Sequence, residues 1–134
     1  MKNFDRVLLD APCTGLGIIS RDPSIKIQKN LKDVYMQSHL QKELILSALD
    51  CLKVGGTLVY STCSVSVLEN EAVVDYALRN RFCKVVESEI ELGEPGVANY
   101  DDKKFSDQVK LTKRIFPRNQ ILIRYSQHGR ILLR

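Results

Sequence analysis

Two short apolar runs, each closed by a loop that carries a cysteine, constrain this sequence more than any other feature. Val7-Leu8-Leu9 ends in Asp10 and opens into Ala11-Pro12-Cys13-Thr14-Gly15-Leu16-Gly17. Thr57-Leu58-Val59-Tyr60 opens into Ser61-Thr62-Cys63-Ser64. Continuous aliphatic and β-branched runs of this length read as strands buried on both faces. Between them, Leu31, Val34, Tyr35, Leu44, Ile45, Ala48, Leu49 and Leu52 recur at helical spacing. Asn30 is placed to cap the start of that helix and Gly55-Gly56 to end it. Farther on, Ser66 and Glu69 predict a capping box at the head of a second helix, whose face carries Val73, Val74, Ala77 and Leu78. Glu69 and Glu71 are accordingly read as capping and packing residues. Val85-Val86 predicts a third strand.

Strand, helix, strand, helix, strand implies an α/β fold of parallel strands joined by right-handed helical crossovers. From Ile90 to Arg118 the pattern weakens, and turns are signalled at Gly93, Pro95-Gly96 and Pro117. Ile121–Tyr125 and Arg130–Leu133 flank Ser126-Gln127-His128-Gly129, which predicts an antiparallel edge hairpin within residues 118–134. Ligands of open α/β sheets sit just beyond the carboxyl ends of the strands. Cys13 and Cys63, 50 positions apart, are therefore expected at one rim with Asp10 beside them.

Composition narrows the function classes. No apolar stretch approaches the roughly 20 residues that cross a bilayer, and the opening lacks the apolar core of a secretory leader. A soluble intracellular chain without a membrane partner is expected. None of the four cysteines forms a C-x-x-C pair, so neither a zinc site nor any other metal is expected, and all four are read as reduced thiols. Cys51 and Cys83 fall inside apolar patterns and read as small buried hydrophobes. Charge is uneven: residues 1–100 carry 11 basic and 13 acidic side chains, net −2, while residues 101–134 carry 9 and 3, net +6. A basic tail suits either a phosphate backbone or a solvated surface.

Asp10-Ala11-Pro12-Cys13-Thr14-Gly15-Leu16-Gly17 and Ser61-Thr62-Cys63-Ser64, with Glu69-Asn70-Glu71 downstream, resemble the motifs of the Nol/Nop/Sun family of RNA (cytosine-5) methyltransferases. Phe4–Asp10, Ile19–Pro23 and His39–Leu44 are similar to its nucleolar branch, which acts on large-subunit ribosomal RNA. The likeness runs from about Phe4 to Pro117. It implies the C-terminal half of a Rossmann-like methyltransferase fold, S-adenosyl-L-methionine as cofactor, large-subunit rRNA as partner and a nuclear, nucleolar location. It also assigns roles: Cys63 as nucleophile, Cys13 in product release, and Asp10 at the ring nitrogen 3 edge. Asp10 and Pro12 would border the methionine end of the cofactor. Arg21 and Lys26, in the following loop, read as contacts to RNA phosphate.

The chemistry calls for these residue types. Carbon 5 of cytosine is too poor a nucleophile to take a methyl group directly. A thiolate added at carbon 6 turns the ring into an enamine, and cysteine suits such covalent catalysis. The head of the helix after Cys63 would help to ionise it. The family's Gly-rich cofactor loop precedes the Asp-Ala-Pro-Cys strand, so residues 1–134 are expected to form a partial catalytic domain without its cofactor-binding N-terminal half. An uncovered Val7-Leu8-Leu9 edge would then permit self-association, and residues 118–134 read as a divergent tail. The alternative reading is a non-catalytic RNA-binding or ribosome-assembly fragment that keeps the fold.

Overall fold

The computed structural model describes residues 3–16, 30–87, 91, 93–115 and the backbone of 120–126. Strand β1 (Phe4–Asp10) pairs in parallel with β2 (Leu52–Thr62), and helix α1 (Leu31–Cys51) stands between them in sequence. After β2 come a 3-10 turn (Val67–Glu69) and helix α2 (Glu71–Asn80). Five short strands then follow: β3 (Lys84–Val85), β4 (Glu94–Pro95), β5 (Asn99–Tyr100), β6 (Lys103–Lys104) and β7 (Lys113–Ile115). The last described strand is β8 (Gln120–Ser126). The main sheet runs β1-β2-β8-β7-β4, with β3 also paired to β8, while β5 and β6 form a separate two-stranded ribbon.

The expected α/β architecture, with both parallel and antiparallel strands, is therefore present. Its antiparallel strand lies deeper than expected. β8 pairs with β2 along Thr57–Thr62 on one side and with β3 and β7 on the other. The third strand occupies Lys84–Val85 and is separated from β2 by β8. The second arm of the expected hairpin, Arg130–Leu133, lies outside the described residues.

Local structure follows the chain's own chemistry at the head of α1. The Asn30 side chain accepts from the Asp33 amide at 3.2 Å, and the Asp33 carboxylate accepts from the Asn30 amide at 2.9 Å. This reciprocal pair satisfies two otherwise orphaned donors. The helix buries Val34, Ser38, Gln41, Ile45 and Leu49. That stripe is narrower than the apolar pattern implied, because Leu31 and Tyr35 stay 72% and 62% exposed. At its other end α1 stops at Cys51 rather than at the glycines. β2 begins at once, with Leu52 opposite Phe4, and regular pairing resumes at Thr57 opposite Arg6. The intervening residues bulge through Gly55, whose φ of 82° is a conformation L side chains rarely adopt.

One face of β2 supplies the core. Leu58 and Tyr60 are fully buried against Ile45 and Leu49 of α1 and Val73, Val74 and Ala77 of α2, with Phe105 and Val109 completing the cluster. Each Val, Leu, Ile or Phe side chain so removed from water contributes about 1.5–3 kcal/mol. Alternation sends Leu8 to the opposite face of the sheet, where it is 71% exposed. β1 is an outermost strand of the described sheet.

Charged groups fasten the periphery. Arg81 donates twice to the Asp50 carboxylate, at 2.7 and 2.8 Å, tying the end of α2 to α1. More deeply, Arg114 of β7 grips the fully buried Glu71 through two bonds of 2.6 Å and donates a third to the Val65 carbonyl at 3.0 Å. The Val97 amide also donates to Glu71 at 3.0 Å. Removing one partner of a buried ion pair strands the other charge. Glu71→Ala and Arg114→Ala are each expected to lower stability by about 3–5 kcal/mol in urea unfolding. The apolar double replacement Glu71→Leu/Arg114→Met should cost less than either.

Candidate active site

The carboxyl ends of β1 and β2 are neighbours by register, Asp10 opposite Ser61. The Ala11 amide continues the pairing by donating to the Ser61 carbonyl at 2.8 Å. Because the strands are parallel, the loop after each leaves the sheet on the same side, and the two cysteines meet. Cys13 Sγ and Cys63 Sγ lie 2.9 Å apart and share one hydrogen bond. Both are half-buried free thiols. Asp10 stands at the same rim, exposed, with its Oδ1 accepting from the Ser61 hydroxyl at 2.8 Å.

The Cys13 thiol is held in an unusual setting. Burial, and then the hydrogen bond to Cys63, pushes the Cys13 thiol from 9.0 up to about 12. Cys13 is therefore a weaker acid than a free thiol, and either sulfur can donate the hydrogen the pair shares. A protonated thiol facing a second sulfur can steady a thiolate there, whether that thiolate is about to attack or has just departed. Cys51 and Cys83, only partly buried, stand apart from the rim. Cys83 donates weakly to the Ala77 carbonyl at 3.8 Å, and burial raises it to about 11.

Glu69 holds the two loops together. Its side chain is fully buried and accepts from the Thr14 amide at 2.8 Å, the Thr14 hydroxyl at 2.6 Å, the Ser64 hydroxyl at 2.5 Å and Gln41 Nε2 at 3.3 Å. The Thr14 and Ser64 donors each stand one residue after a cysteine. Gln41 also donates to the Pro12 carbonyl at 2.7 Å, and Ser38 to the Leu68 carbonyl at 2.6 Å, so α1 braces both loops. Asn70 secures the second loop from below. It accepts from the Thr62 hydroxyl at 2.5 Å and donates to the Ser64 and Ser66 carbonyls at 2.8 and 2.7 Å. The Tyr60 hydroxyl reaches the Glu69 carbonyl at 2.9 Å.

The capping box expected of Ser66 and Glu69 does not form. Ser66 makes no side-chain cap, the segment Val67–Glu69 is a 3-10 turn, and α2 starts at Glu71. Two loops rich in donors compete for the Glu69 carboxylate and win it from the single backbone amide that capping would satisfy. Glu69, read as a capping residue, is instead the centre of the site's scaffold. Gln41, Thr14, Ser64 and Arg114 were not singled out either. The available signal was polar character on a buried stripe: Ser38 and Gln41 occupy the face that Val34, Ile45 and Leu49 define. His39 lies on the exposed surface of α1, 3.4 Å from Glu43. Pro12 is exposed on the rim. Arg21, Lys26, Gly17 and His128 lie outside the described residues.

Among the described residues no helix is long and apolar enough to cross a membrane, and no three His, Cys, Asp or Glu side chains gather as a metal site would require.

The family described as 16S rRNA methyltransferase RsmB/F matches residues 1–122. The human 28S rRNA (cytosine(4447)-C(5))-methyltransferase is 48% identical over 118 residues, covering 85% of this chain and 14% of its own length. The tRNA (cytosine(49)-C(5))-methyltransferase of Pyrococcus abyssi is 46% identical over 118 residues, covering 87% of this chain and 38% of the relative. The crystal structure of NSun6 from Pyrococcus horikoshii with SFG superposes with a TM-score of 0.79 at 29% identity, over 96% of this chain and 31% of that one. The chain thus spans well under half the length of these relatives.

Thiol reactivity follows from the Cys13 environment. The raised value makes the Cys13 thiolate about a thousandfold scarcer at pH 8 than for a thiol at 9.0. The greater basicity of that thiolate returns part of the loss, through a Brønsted slope of about 0.4–0.5. Iodoacetamide at pH 8 should therefore alkylate Cys13 tens of times more slowly in the native chain than in the urea-denatured chain, read peptide by peptide by mass spectrometry. Cys63→Ala should narrow that gap without closing it, since burial remains.

Proposed function

This chain belongs to the Nol/Nop/Sun family, matched here as 16S rRNA methyltransferase RsmB/F, and on that premise we propose that it carries the thiol pair of an enzyme methylating cytosine carbon 5 in RNA. The observation that carries the reading is the shared hydrogen bond between Cys13 and Cys63 at the ligand-binding edge of the sheet. Cys63 adds to carbon 6 of a cytosine lifted out of its stack, a displacement that costs a few kcal/mol. Asp10, exposed on the same rim, meets the nitrogen 3 edge and passes a proton to it as the thiolate adds, so that the ring carries no net negative charge. After methylation the carbon 5 proton passes to solvent, and the electron pair it leaves re-forms the carbon 5–carbon 6 double bond as the bond from carbon 6 to Cys63 breaks. Cys13, whose sulfur lies 2.9 Å from that of Cys63, donates a hydrogen bond to the departing sulfur and so aids release.

S-adenosyl-L-methionine supplies the electrophilic methyl group. The rim suits one end of that cofactor: the exposed Asp10 carboxylate complements a cationic methionine moiety, and Pro12 stands exposed beside it. Residues 1–134 are taken as a catalytic portion of such a domain, with the cofactor-binding half outside it and residues 118–134 as its divergent tail. Large-subunit rRNA is the substrate this reading favours, by likeness to the human relative, and a nucleolar location follows from it. Arg21 and Lys26 are proposed contacts to RNA phosphate.

The test uses the full protein that carries this chain, with RNA and S-adenosyl-L-methionine. Cys13→Ala is expected to accumulate an RNA adduct that survives denaturation, and adding Cys63→Ala should abolish it. Absence of any adduct from Cys13→Ala, with the protein folded and bound to RNA, would overturn the enzyme reading in favour of a non-catalytic RNA-binding role.

A further inference from the structure

We propose that Glu69 is a positioning residue for the proposed reaction: its carboxylate sets the separation and orientation of the Cys13 and Cys63 thiols without itself touching the base. The argument starts from a repeated local pattern. Each cysteine is followed by a hydroxyl residue, Thr14 or Ser64, and both hydroxyls donate to the same oxygen, Glu69 Oε2, at 2.6 and 2.5 Å. The other oxygen, Oε1, takes the Thr14 amide at 2.8 Å and Gln41 Nε2 at 3.3 Å.

All four contacts are donors aimed at one acceptor-only group, so the carboxylate is saturated. It is also fully buried, with no face left for a ligand. Two loops from different strands are thereby fixed to one point, adjacent in sequence to both sulfurs. The backbone pairing of β1 with β2 sets the register of the loops, but it ends at the bond from the Ala11 amide to the Ser61 carbonyl. Beyond it, besides the contact between the thiols themselves, the Glu69 carboxylate links the two cysteine loops directly. Catalytic constellations need placement to within about 0.5 Å, and misplacement by about 1 Å costs roughly a hundredfold in rate.

This inference rests on the methyltransferase reading for its consequence, but the thiol geometry can be measured apart from it. Diamide accepts two electrons and two protons from a pair of thiols, becoming a hydrazine while a disulfide forms. In the unsubstituted chain the Cys13–Cys63 disulfide should form rapidly, since the sulfurs already lie 2.9 Å apart. Glu69→Gln keeps the size of the side chain but turns one acceptor into a donor facing donors. It is expected to slow that disulfide about tenfold or more, while alkylation of Cys51 and Cys83 stays as in the unsubstituted chain. Should Glu69→Gln fail to fold, Thr14→Val and Ser64→Ala each delete one hydroxyl from Oε2 and should slow the disulfide in the same direction.

In the full protein Glu69→Gln should lower kcat more than it raises KM and should lengthen the life of the RNA adduct on Cys63. Failure of Cys13→Ala to trap RNA would sink the methyltransferase reading and leave the diamide result to decide the role of Glu69 in setting the thiols. An unchanged disulfide rate in folded Glu69→Gln, or in both hydroxyl variants, would overturn the inference.

Discussion

A carboxylate with no exposed surface must collect hydrogen bonds from protein, because an unpaired buried charge costs several kcal/mol. Glu69 meets that demand by drawing donors from three places: the loop after β1, the loop after β2 and the middle of α1. Much of the architecture around the rim is the consequence. The two residues after it extend the same logic. Asn70 ties down the second cysteine loop, and Glu71 clamps Arg114 and thereby β7. Three consecutive buried polar side chains therefore tie together both cysteine loops, α1 and β7. A helix head that served only its own backbone amides would leave the loops and β7 without these anchors.

β4 to β7 fall where the sequence signals only turns, whereas strands β1, β2 and β8, the long helix with its Asn30 cap, and the meeting of Cys13 with Cys63 were legible in it. Each follows from a short-range rule: apolar runs make strands, a capping pair starts a helix, and parallel strands aim their loops at one edge. The misreadings share a different origin. Ser66 and Glu69 fit a capping pattern, yet Thr14, 55 positions from Glu69, outbids the local partner, and no local pattern records a donor that distant. Gly55-Gly56 resembles a helix terminus, but the pairing of Leu52 with Phe4 draws the chain into β2 before the glycines arrive. β8 slips between β2 and the later strands because Ile121–Ser126 finds an unpaired edge along β2, a long-range choice invisible to hydrophobic periodicity.

Gln41 shows how such a network is paid for in helix composition. A helix that packed only on hydrocarbon would carry an aliphatic residue at that position, one turn before Ile45. Instead a fully buried amide serves Pro12 and Glu69 through its nitrogen, while among the described residues its Oε1 has no hydrogen-bond partner. An unsatisfied buried acceptor is destabilising, by about 1–3 kcal/mol. The network at the rim offsets that cost, which marks the rim as the place where the fold gives up stability for geometry.

The same contrast separates the carboxylates of the site. Asp10 and Glu69 each hold a hydroxyl residue of the second cysteine loop, Ser61 and Ser64 respectively. Asp10 is exposed and spends Oδ1 on a single serine, whereas Glu69 is sealed and fully engaged. An acid that must meet a ring nitrogen or a cationic cofactor needs open surface and spare acceptor capacity. One that must hold two thiols still needs neither, because any freedom it kept would pass to the sulfurs. On the proposed reading, two acids thus divide what one could not do. Burial assigns the division: the residue at the strand end faces the ligand side, and the residue beneath the loops faces the scaffold.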